Sequence, residues 1–479
     1  MQQNKGFGSK IGFILAAAGS AVGVGNLWGF PYRAGMSGGA AFVLVYILMV
    51  LAIGAIVMLS EMYIGKRAGK NVVDAYGMVS PKLKWVGGLN VVTPFLISSY
   101  YIVIGGWSLK YAFNYLTAQD FATNSYFSEY ISQGFTPIIY MLIFVVISAI
   151  IVCAGVEKGI EKFSKIAMPM LLICLVLVVI RSLTLGEGVR EGLEFFILKL
   201  DFEALGFSGI LMAMSQAFFS LSLGLGAMIV YGSYSNSSMK LSTSIFTICA
   251  LDTVVAILAG LAIFPAVFAF GFQPTEGTGL MFSVLPQVFA SMPAGGLFGF
   301  MFFILVVFAA LTSIVSLLEV VSQVSIEKLG WSRKKSTVVF SSLIAVIGVF
   351  VSLSMGAVPE IHVGNFDLLT YIDEAMNYVI IPLLALMACI SIAYVVKPEE
   401  LRDKLRSEGD EFKWFGIFRI FVKFITPVLI VIVLISGIIE RLQTIANFHT
   451  IVIGALLIIL AMLVMNYLSY KKDKKSNFK

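Results

Sequence analysis

A chain of 479 residues that is 59% apolar and only 13% charged is no soluble globule, which carries about 25% charged residues; it reads as an integral membrane protein. Its net charge of +6 identifies no partner until it is placed loop by loop. Cys153, Cys174, Cys249 and Cys389 lie in apolar runs without CxxC spacing and read as small core residues, and His362 and His449 stand far apart, so neither zinc nor haem spacing appears.

Twelve apolar segments of spanning length follow, at about 11–35, 39–65, 86–117, 137–155, 164–183, 207–232, 241–270, 296–328, 333–353, 366–396, 414–440 and 446–470. The residues before Ile11 are polar, and the first run is too long for a cleavable signal core. That run is interrupted at Gly19-Ser20-Ala21-Val22-Gly23-Val24-Gly25-Asn26. Each glycine weakens a helix interior by about 1 kcal/mol relative to alanine. In hydrocarbon the freed backbone groups need partners, so a break is tolerated only where it is buried or lines a polar cavity. Exposed carbonyls suit cations and exposed amides suit anions, which is the chemistry of a transporter's binding site. The sixth run is interrupted in the same way, at Phe218-Phe219-Ser220-Leu221-Ser222-Leu223-Gly224-Leu225-Gly226.

Breaks five helices apart predict two five-helix repeats that enter the membrane from opposite sides, with helices 11 and 12 left over. Gly19-xxx-Gly23 also suits close helix packing, but the second break argues against packing alone. Gly23-Val24-Gly25 is no dinucleotide fingerprint, because Trp28 stands where the third glycine belongs.

Charge predicts the orientation. About 27 of the 33 lysines and arginines fall on one side if the N-terminus is cytoplasmic. Lys66, Arg67, Lys70, Lys82 and Lys84 separate helices 2 and 3, Arg333 to Lys335 separate helices 8 and 9, and Lys471 to Lys475 follow helix 12. Stretches 118–136 and 271–295 carry none. The expected organisation is an all-α membrane protein of twelve helices. It comprises a cytoplasmic segment 1–10, a first repeat 11–183, an outer loop 184–206, a second repeat 207–396, helices 11 and 12 with their preceding cytoplasmic loop at 397–470, and a basic cytoplasmic tail 471–479. The setting is the plasma membrane; nothing suggests nucleic acid, and the sequence names no oligomeric partner.

Three motifs in order, Gly-Asn-Leu-Trp-x-Phe-Pro-Tyr at 25–32, Phe-Ser-Leu-Ser-Leu-Gly at 219–224 and Ala-Leu-Thr-Ser at 310–313, resemble the neurotransmitter:sodium symporter family. The bacterial amino-acid transporters of the leucine-transporter type are nearest in style. The resemblance implies alternating access, with helices 1, 2, 6 and 7 rocking against the rest, and two sodium sites. The first would use the Ala21 carbonyl, Asn26, Ser220 and Asp252, completed by the substrate carboxylate. The second would use the carbonyls of Gly19, Val22 and Ala309 and the hydroxyls of Thr312 and Ser313. Taken alone, Thr312 and Ser313 read as helix hydroxyls bonded to backbone.

Asp252 is the most informative single residue, because an aspartate inside an apolar helix is costly and by default functional; the alternative is a helix-end residue snorkelling to water. Animal members of the family have a neutral residue there and depend on chloride, so a fixed negative charge implies chloride independence. An isolated carboxylate left without sodium is expected to take a proton, which implies proton counter-transport on the return step.

Gly23 stands where monoamine carriers place an aspartate, so the resemblance is to amino-acid carriers. The substrate carboxylate would meet the first sodium, the amides of Val24 and Gly25 and the Tyr101 hydroxyl. The amino group would meet carbonyls of the two breaks, Ala21 among them, and Ser222. The side chain would enter a pocket of Val24, Ile97, Tyr101, Phe219, Leu225 and Leu317, edged by Ser220 and Ser313. That lining is uncharged, so the expected cargo is a neutral hydrophobic or aromatic amino acid, and Leu225 in place of phenylalanine makes the pocket roomier.

The gates depart from the family. Its outer Arg and Asp positions are Gly29 and Thr370 here, leaving Tyr101 over Phe219 as an aromatic lid and Arg33 with Asp367 as a substitute pair. On the inner side Asn4 or Lys5 with Phe7 replaces an Arg–Trp pair, Tyr234 and Glu327 match the closing tyrosine and acid, and Lys5 with Glu327 is the candidate ion pair. Glu61 and Glu319 read as hydrogen-bonded ties between helices. Loop 276–295 resembles the outer loop that caps the pathway, although its composition alone reads as a turn-rich connection. Broken helices also build channels, and a sensor would bind without flux; counterflow separates the first alternative and vesicle uptake the second. No nucleophile–base pair, metal set or phosphate loop marks an enzyme.

Overall fold

The computed structural model describes residues 6–117, 121–123, 125–272 and 280–476, with side chains to 467. Among these described residues eleven helices are long and apolar enough to span a bilayer, and a bent pair makes the twelfth crossing. They are α1 (Lys10–Ala21 and Gly25–Met36), α2 (Ala40–Ala68), α3 (Pro81–Thr117), α4 (Thr136–Cys153), α5 (Val156–Leu183), α6 (Phe202–Ser220, continued by Ala227–Ser233), α7 (Leu241–Ala269), α8 (Gly295–Leu329), α9 (Arg333–Ser354), α10 (Leu368–Val396), α11 (Phe415–Thr444) and α12 (Phe448–Tyr467). The two-residue strands His362–Val363 and Phe366–Asp367 pair as an antiparallel hairpin between α9 and α10.

Burial sorts the helices into roles. In α8 and α3, 83% and 72% of the apolar window lies inside the protein, against 28% in α11 and 17% in α12. A helix that is apolar all round and buried belongs to the core; α3 and α8 form that core, and α11 and α12 turn most of their side chains to lipid. One end of the bundle carries Lys66 and Arg67 at the end of α2, Lys328 at the end of α8, Arg333 at the start of α9 and Lys404 on the α10–α11 connection; it is called the basic face below.

Two expected boundaries moved. α5 begins at Val156, earlier than the apolar run, because its charged first turns are matched: Glu161 accepts the Gly8 N–H at 2.7 Å and the Ser9 hydroxyl at 2.8 Å, and pairs with Lys165 at 2.7 Å. The connection before α8 contains the helix Leu280–Ser291, with Pro286 in the first turn of its α-helical part Leu285–Ser291, where proline is tolerated. Composition alone reads that stretch as turns.

Candidate functional site

The two breaks face each other in mid-bundle. In α1 the helix ends at Ala21, Val22 turns extended (ψ 100°), and the chain resumes at Gly25 with a 51° bend. The freed amides are satisfied by side chains: Asn26 Oδ1 accepts the Gly23 N–H at 3.0 Å, and the Tyr101 hydroxyl accepts the Val24 N–H at 3.0 Å. A local asparagine of this kind offers backbone an alternative to the helix ladder. In α6 residues 221–226 leave the helix, with Ser222, Gly224 and Gly226 at φ of 52°, 69° and 72°. A serine held in the left-handed region is strained, and such strain gathers at functional sites. Glu61 from α2 accepts the Gly224 N–H at 2.8 Å, so it is a tie between helices, as its position suggested.

Asp252 lies inside α7, fully buried, not at a helix end. Its carboxylate accepts from Asn26 Nδ2 at 2.8 Å, from Ser220 Oγ at 2.9 and 2.8 Å, and from the Tyr46 hydroxyl at 2.9 Å. Three of the four residues expected at the first sodium site thus meet directly, joining α1, α6 and α7. Tyr46 is an addition: its hydroxyl is invisible to hydrophobic periodicity because the ring carries it into an apolar face. All the oxygens of this cluster are hard donors, the type an alkali or alkaline-earth cation accepts.

At the second expected site α1 and α8 touch. A Cβ on Gly19 would lie 3.2 Å from Thr312 Cβ, and the Thr312 hydroxyl bonds the Phe308 and Ala309 carbonyls at 3.1 and 3.0 Å. Ser313 Oγ donates to the Ser20 carbonyl at 3.3 Å, and Ser222 Oγ to the same carbonyl at 2.7 Å. Ser20, absent from the expected set, is therefore the acceptor that joins α1, α6 and α8.

Between the breaks lies a small cavity. Eleven of the twelve expected substrate residues line it, together with Ser20. Val24 is the correction: its side chain does not line the cavity, and its amide is taken by Tyr101. Gly23 leaves room for its neighbours, since a Cβ there would lie 2.7 Å from both Ser313 Oγ and Tyr101 Oη and one of them would have to shift.

On the basic face, Phe7 packs edge-on against Phe13, Tyr231 and Tyr234, and its N–H donates to the Tyr234 carbonyl at 3.3 Å. Tyr234 and Glu327, the two expected closing residues, have different partners. Tyr234 donates to Glu319 Oε1 at 2.6 Å, and Arg333 holds the same carboxylate at 2.6 and 3.0 Å. Glu327 instead accepts from Asn71 N and Nδ2, both at 2.8 Å, and from Gln323 at 3.0 Å. Lys5 lies outside the described residues. The α10–α11 connection straps this face: Glu408 pairs with Lys66 at 2.9 Å, Glu400 with Arg67 at 2.8 Å, and Asp410 caps α7 through the Ser242 N–H at 2.9 Å. Burial works to raise the Glu408 carboxyl, but hydrogen bonds from Lys66 and Lys404 outweigh it and hold the group below its ordinary range.

On the opposite face the expected Arg33–Asp367 pair is not formed. Asp367 caps α10, accepting from Thr370 N at 2.9 Å and Thr370 Oγ1 at 2.7 Å. Arg33 bonds Gln216 Oε1, and Gln216 Nε2 donates to the Gly25 carbonyl at 3.0 Å.

Two helices broken at the same depth, with polar side chains meeting across the breaks and a cavity between them, define a secondary transporter of the inverted-repeat type. The sequence profile of the sodium:neurotransmitter symporter family matches residues 4–134 and 127–474. The uncharacterized sodium-dependent transporter YhdH of Bacillus subtilis is 37% identical over 440 residues, covering 89% of this chain and 96% of its own. The uncharacterized sodium-dependent transporter MJ1319 of Methanocaldococcus jannaschii is 31% identical over 500 residues, covering 99% of both. The crystal structure of MhsT in complex with L-phenylalanine superposes with a TM-score of 0.83 at 40% identity, covering 90% of this chain and 99% of MhsT. The chain belongs to the sodium:neurotransmitter symporter family, a family of sodium-dependent transporters and not of enzymes.

Proposed function

We propose that this protein imports a neutral hydrophobic or aromatic amino acid together with two sodium ions, without chloride, across the plasma membrane. The basic face is the cytoplasmic one, and helices α1, α2, α6 and α7 rock against the rest to expose the cavity to each side in turn. The observation that carries the reading is the cavity itself. Its side-chain end is built by Ile97, Phe219, Leu225 and Leu317 without a charge, while its other end abuts the Asp252–Asn26–Ser220 cluster. The likeness to MhsT, whose structure holds L-phenylalanine, supports an apolar cargo.

The residues divide the work. Asn26 Oδ1, which accepts from the Gly23 N–H, keeps a second lone pair for the ion, and Asp252 adds the negative charge that chloride would otherwise supply. The second ion takes the carbonyls of Gly19, Val22 and Ala309 with Thr312 and Ser313. The Tyr101 hydroxyl, which accepts from Val24, retains its proton for the substrate carboxylate, and the Ser20 and Ala21 carbonyls with Ser222 face the ammonium. Each sodium crossing 100 mV supplies about 2.3 kcal/mol; two supply about 4.6 kcal/mol, on the order of a thousandfold accumulation.

The test is binding of a panel of labelled amino acids to the purified protein in sodium, in potassium, and in sodium with chloride replaced by gluconate. Binding of a few apolar amino acids that needs sodium and ignores chloride is expected. Binding indifferent to sodium removes the two-ion scheme, and a requirement for chloride removes the role of Asp252.

A further inference from the structure

The connection between α10 and α11, residues 397–414, is anchored unevenly. Among the described residues, its hydrogen bonds, ion pairs and ring contacts to other helices go to α2, α7 and α11, and none goes to α3, α4, α5, α8, α9 or α12. On α2, the Tyr63 hydroxyl donates to the Glu400 carbonyl at 3.5 Å, Arg67 pairs with Glu400, and Lys66 pairs with Glu408. Lys66 also donates to the Asn236 carbonyl at 2.9 Å, on the link from α6 to α7. On α7, Asp410 accepts the Ser242 N–H and hydroxyl, and Trp414 Nε1 donates to the Ser242 carbonyl at 3.0 Å. The Trp414 ring also lies edge-on to Phe246, with centroids 4.9 Å apart. One strap thus staples the basic-face ends of α2, α6 and α7.

The anchors differ in strength. Arg67 and Glu400 are 30% and 47% exposed, and a solvated pair of that kind adds little. Lys66 is 6% exposed and Glu408 17%. A buried cation parted from its carboxylate is left uncompensated, so this contact persists whichever way the cavity opens. The backbone is irregular at both ends of the strap. α10 closes on a π-helical turn, Ser391–Val396, followed by Lys397 at φ 76°. Gly409 and Phe412, at φ 82° and 44°, precede α11. Lysine and phenylalanine in the left-handed region are strained, and the surroundings must enforce that strain. We propose that the strap, 398–414, travels with α2, α6 and α7 as one body, and that the chain bends at Lys397, where it leaves α10. The proposal rests on the transport reading above and adds the strap to the helices that rock.

The experiment measures distances between pairs of spin labels carried by Ser237→Cys on the α6–α7 link, Ser407→Cys on the strap and Lys334→Cys on α9, three exposed positions. The full chain is used in liposomes, with the half-buried Cys153 and Cys174 changed to alanine and the buried Cys249 and Cys389 retained. Distances are read in potassium, in sodium, and in sodium with L-phenylalanine as the probe cargo. The Ser237–Lys334 pair reports the rocking and is expected to change by about 5 Å between conditions. The Ser407–Lys334 pair is expected to change with it, while Ser237–Ser407 stays constant within about 1 Å. Glu408→Gln with Asp410→Asn keeps the shape of both side chains and is expected to release the strap, seen as loss of the fixed Ser237–Ser407 distance. Should that variant fail to fold, the three distances in the parent decide alone. A Ser237–Ser407 distance that varies with conditions in the parent, or that stays fixed in the folded double variant, overturns the strap's place in the moving body. A Ser237–Lys334 distance that is the same in all three conditions instead overturns the transport reading.

Discussion

Replacing Asp252 by asparagine removes a charge and almost no volume. The carboxylate accepts from three donors, Asn26, Tyr46 and a Ser220 hydroxyl shared between its two oxygens, at 2.8 to 2.9 Å. An amide keeps one acceptor, and the Tyr46 hydroxyl can turn from donor to acceptor, so the folded state loses about 1 to 3 kcal/mol. The cation loses more. A unit charge at about 4 Å, with an effective dielectric constant of about 20, is worth about 4 kcal/mol, or on the order of a thousandfold in affinity. The assay is a sodium titration of labelled-amino-acid binding to purified Asp252→Asn, with a thermal melt to establish that the variant is folded. A rise of two to three orders of magnitude in the sodium needed for half-saturation is expected. A folded variant with the parent's sodium dependence would refute the placement of this carboxylate beside the ion.

Gly23→Ala is expected to weaken amino-acid binding by about 5- to 150-fold, because its Cβ forces Tyr101 or Ser313 aside at an overpacking cost of about 1 to 3 kcal/mol; equilibrium binding in saturating sodium measures it. Leu225→Phe should turn preference from aromatic toward smaller aliphatic amino acids by about 10- to 200-fold, the range one pocket wall can deliver, read as a ratio of Kd values. Arg333→Ala leaves the buried Glu319 carboxylate unpaired and should cost about 3 to 5 kcal/mol, seen as a lowered melting temperature. Glu408, depressed in the folded state by Lys66 and Lys404, contributes stability that is present above the ordinary carboxylate range and is lost as pH falls through its folded value. The melting difference between the parent and Glu408→Gln should therefore be present at pH 7 and vanish at the acid end.

Much of this was legible before any coordinates. The twelve spans follow from apolar run length, and both breaks from glycines and serines placed where a helix in hydrocarbon cannot spare them. Asp252 stood out because a buried charge needs a reason. Some of what escaped notice had no linear signal. Glu319 and Glu327 are eight residues apart on α8, hence on nearly the same face, and spacing cannot say which one Tyr234 reaches. The Tyr46 hydroxyl rides on a ring that reads as core. Asp367 is different, since an aspartate three residues before a threonine at a helix start is a capping pattern, and its composition concealed nothing. Val24 sits between two glycines of the break, where a few degrees of backbone rotation decide which wall a side chain joins.

The Ser20 carbonyl, shared between hydroxyls from α6 and α8, carries a consequence for turnover. Ser20, Ser222 and Ser313 already satisfy one another, so an arriving ammonium trades one set of partners for another there and gains only the difference. A receptor is well served by groups that wait unsatisfied, because every contact then adds to residence time. A carrier that must release its cargo at each cycle is better served by exchange at nearly level free energy, with direction supplied by the ion gradient and not by the tightness of the grip.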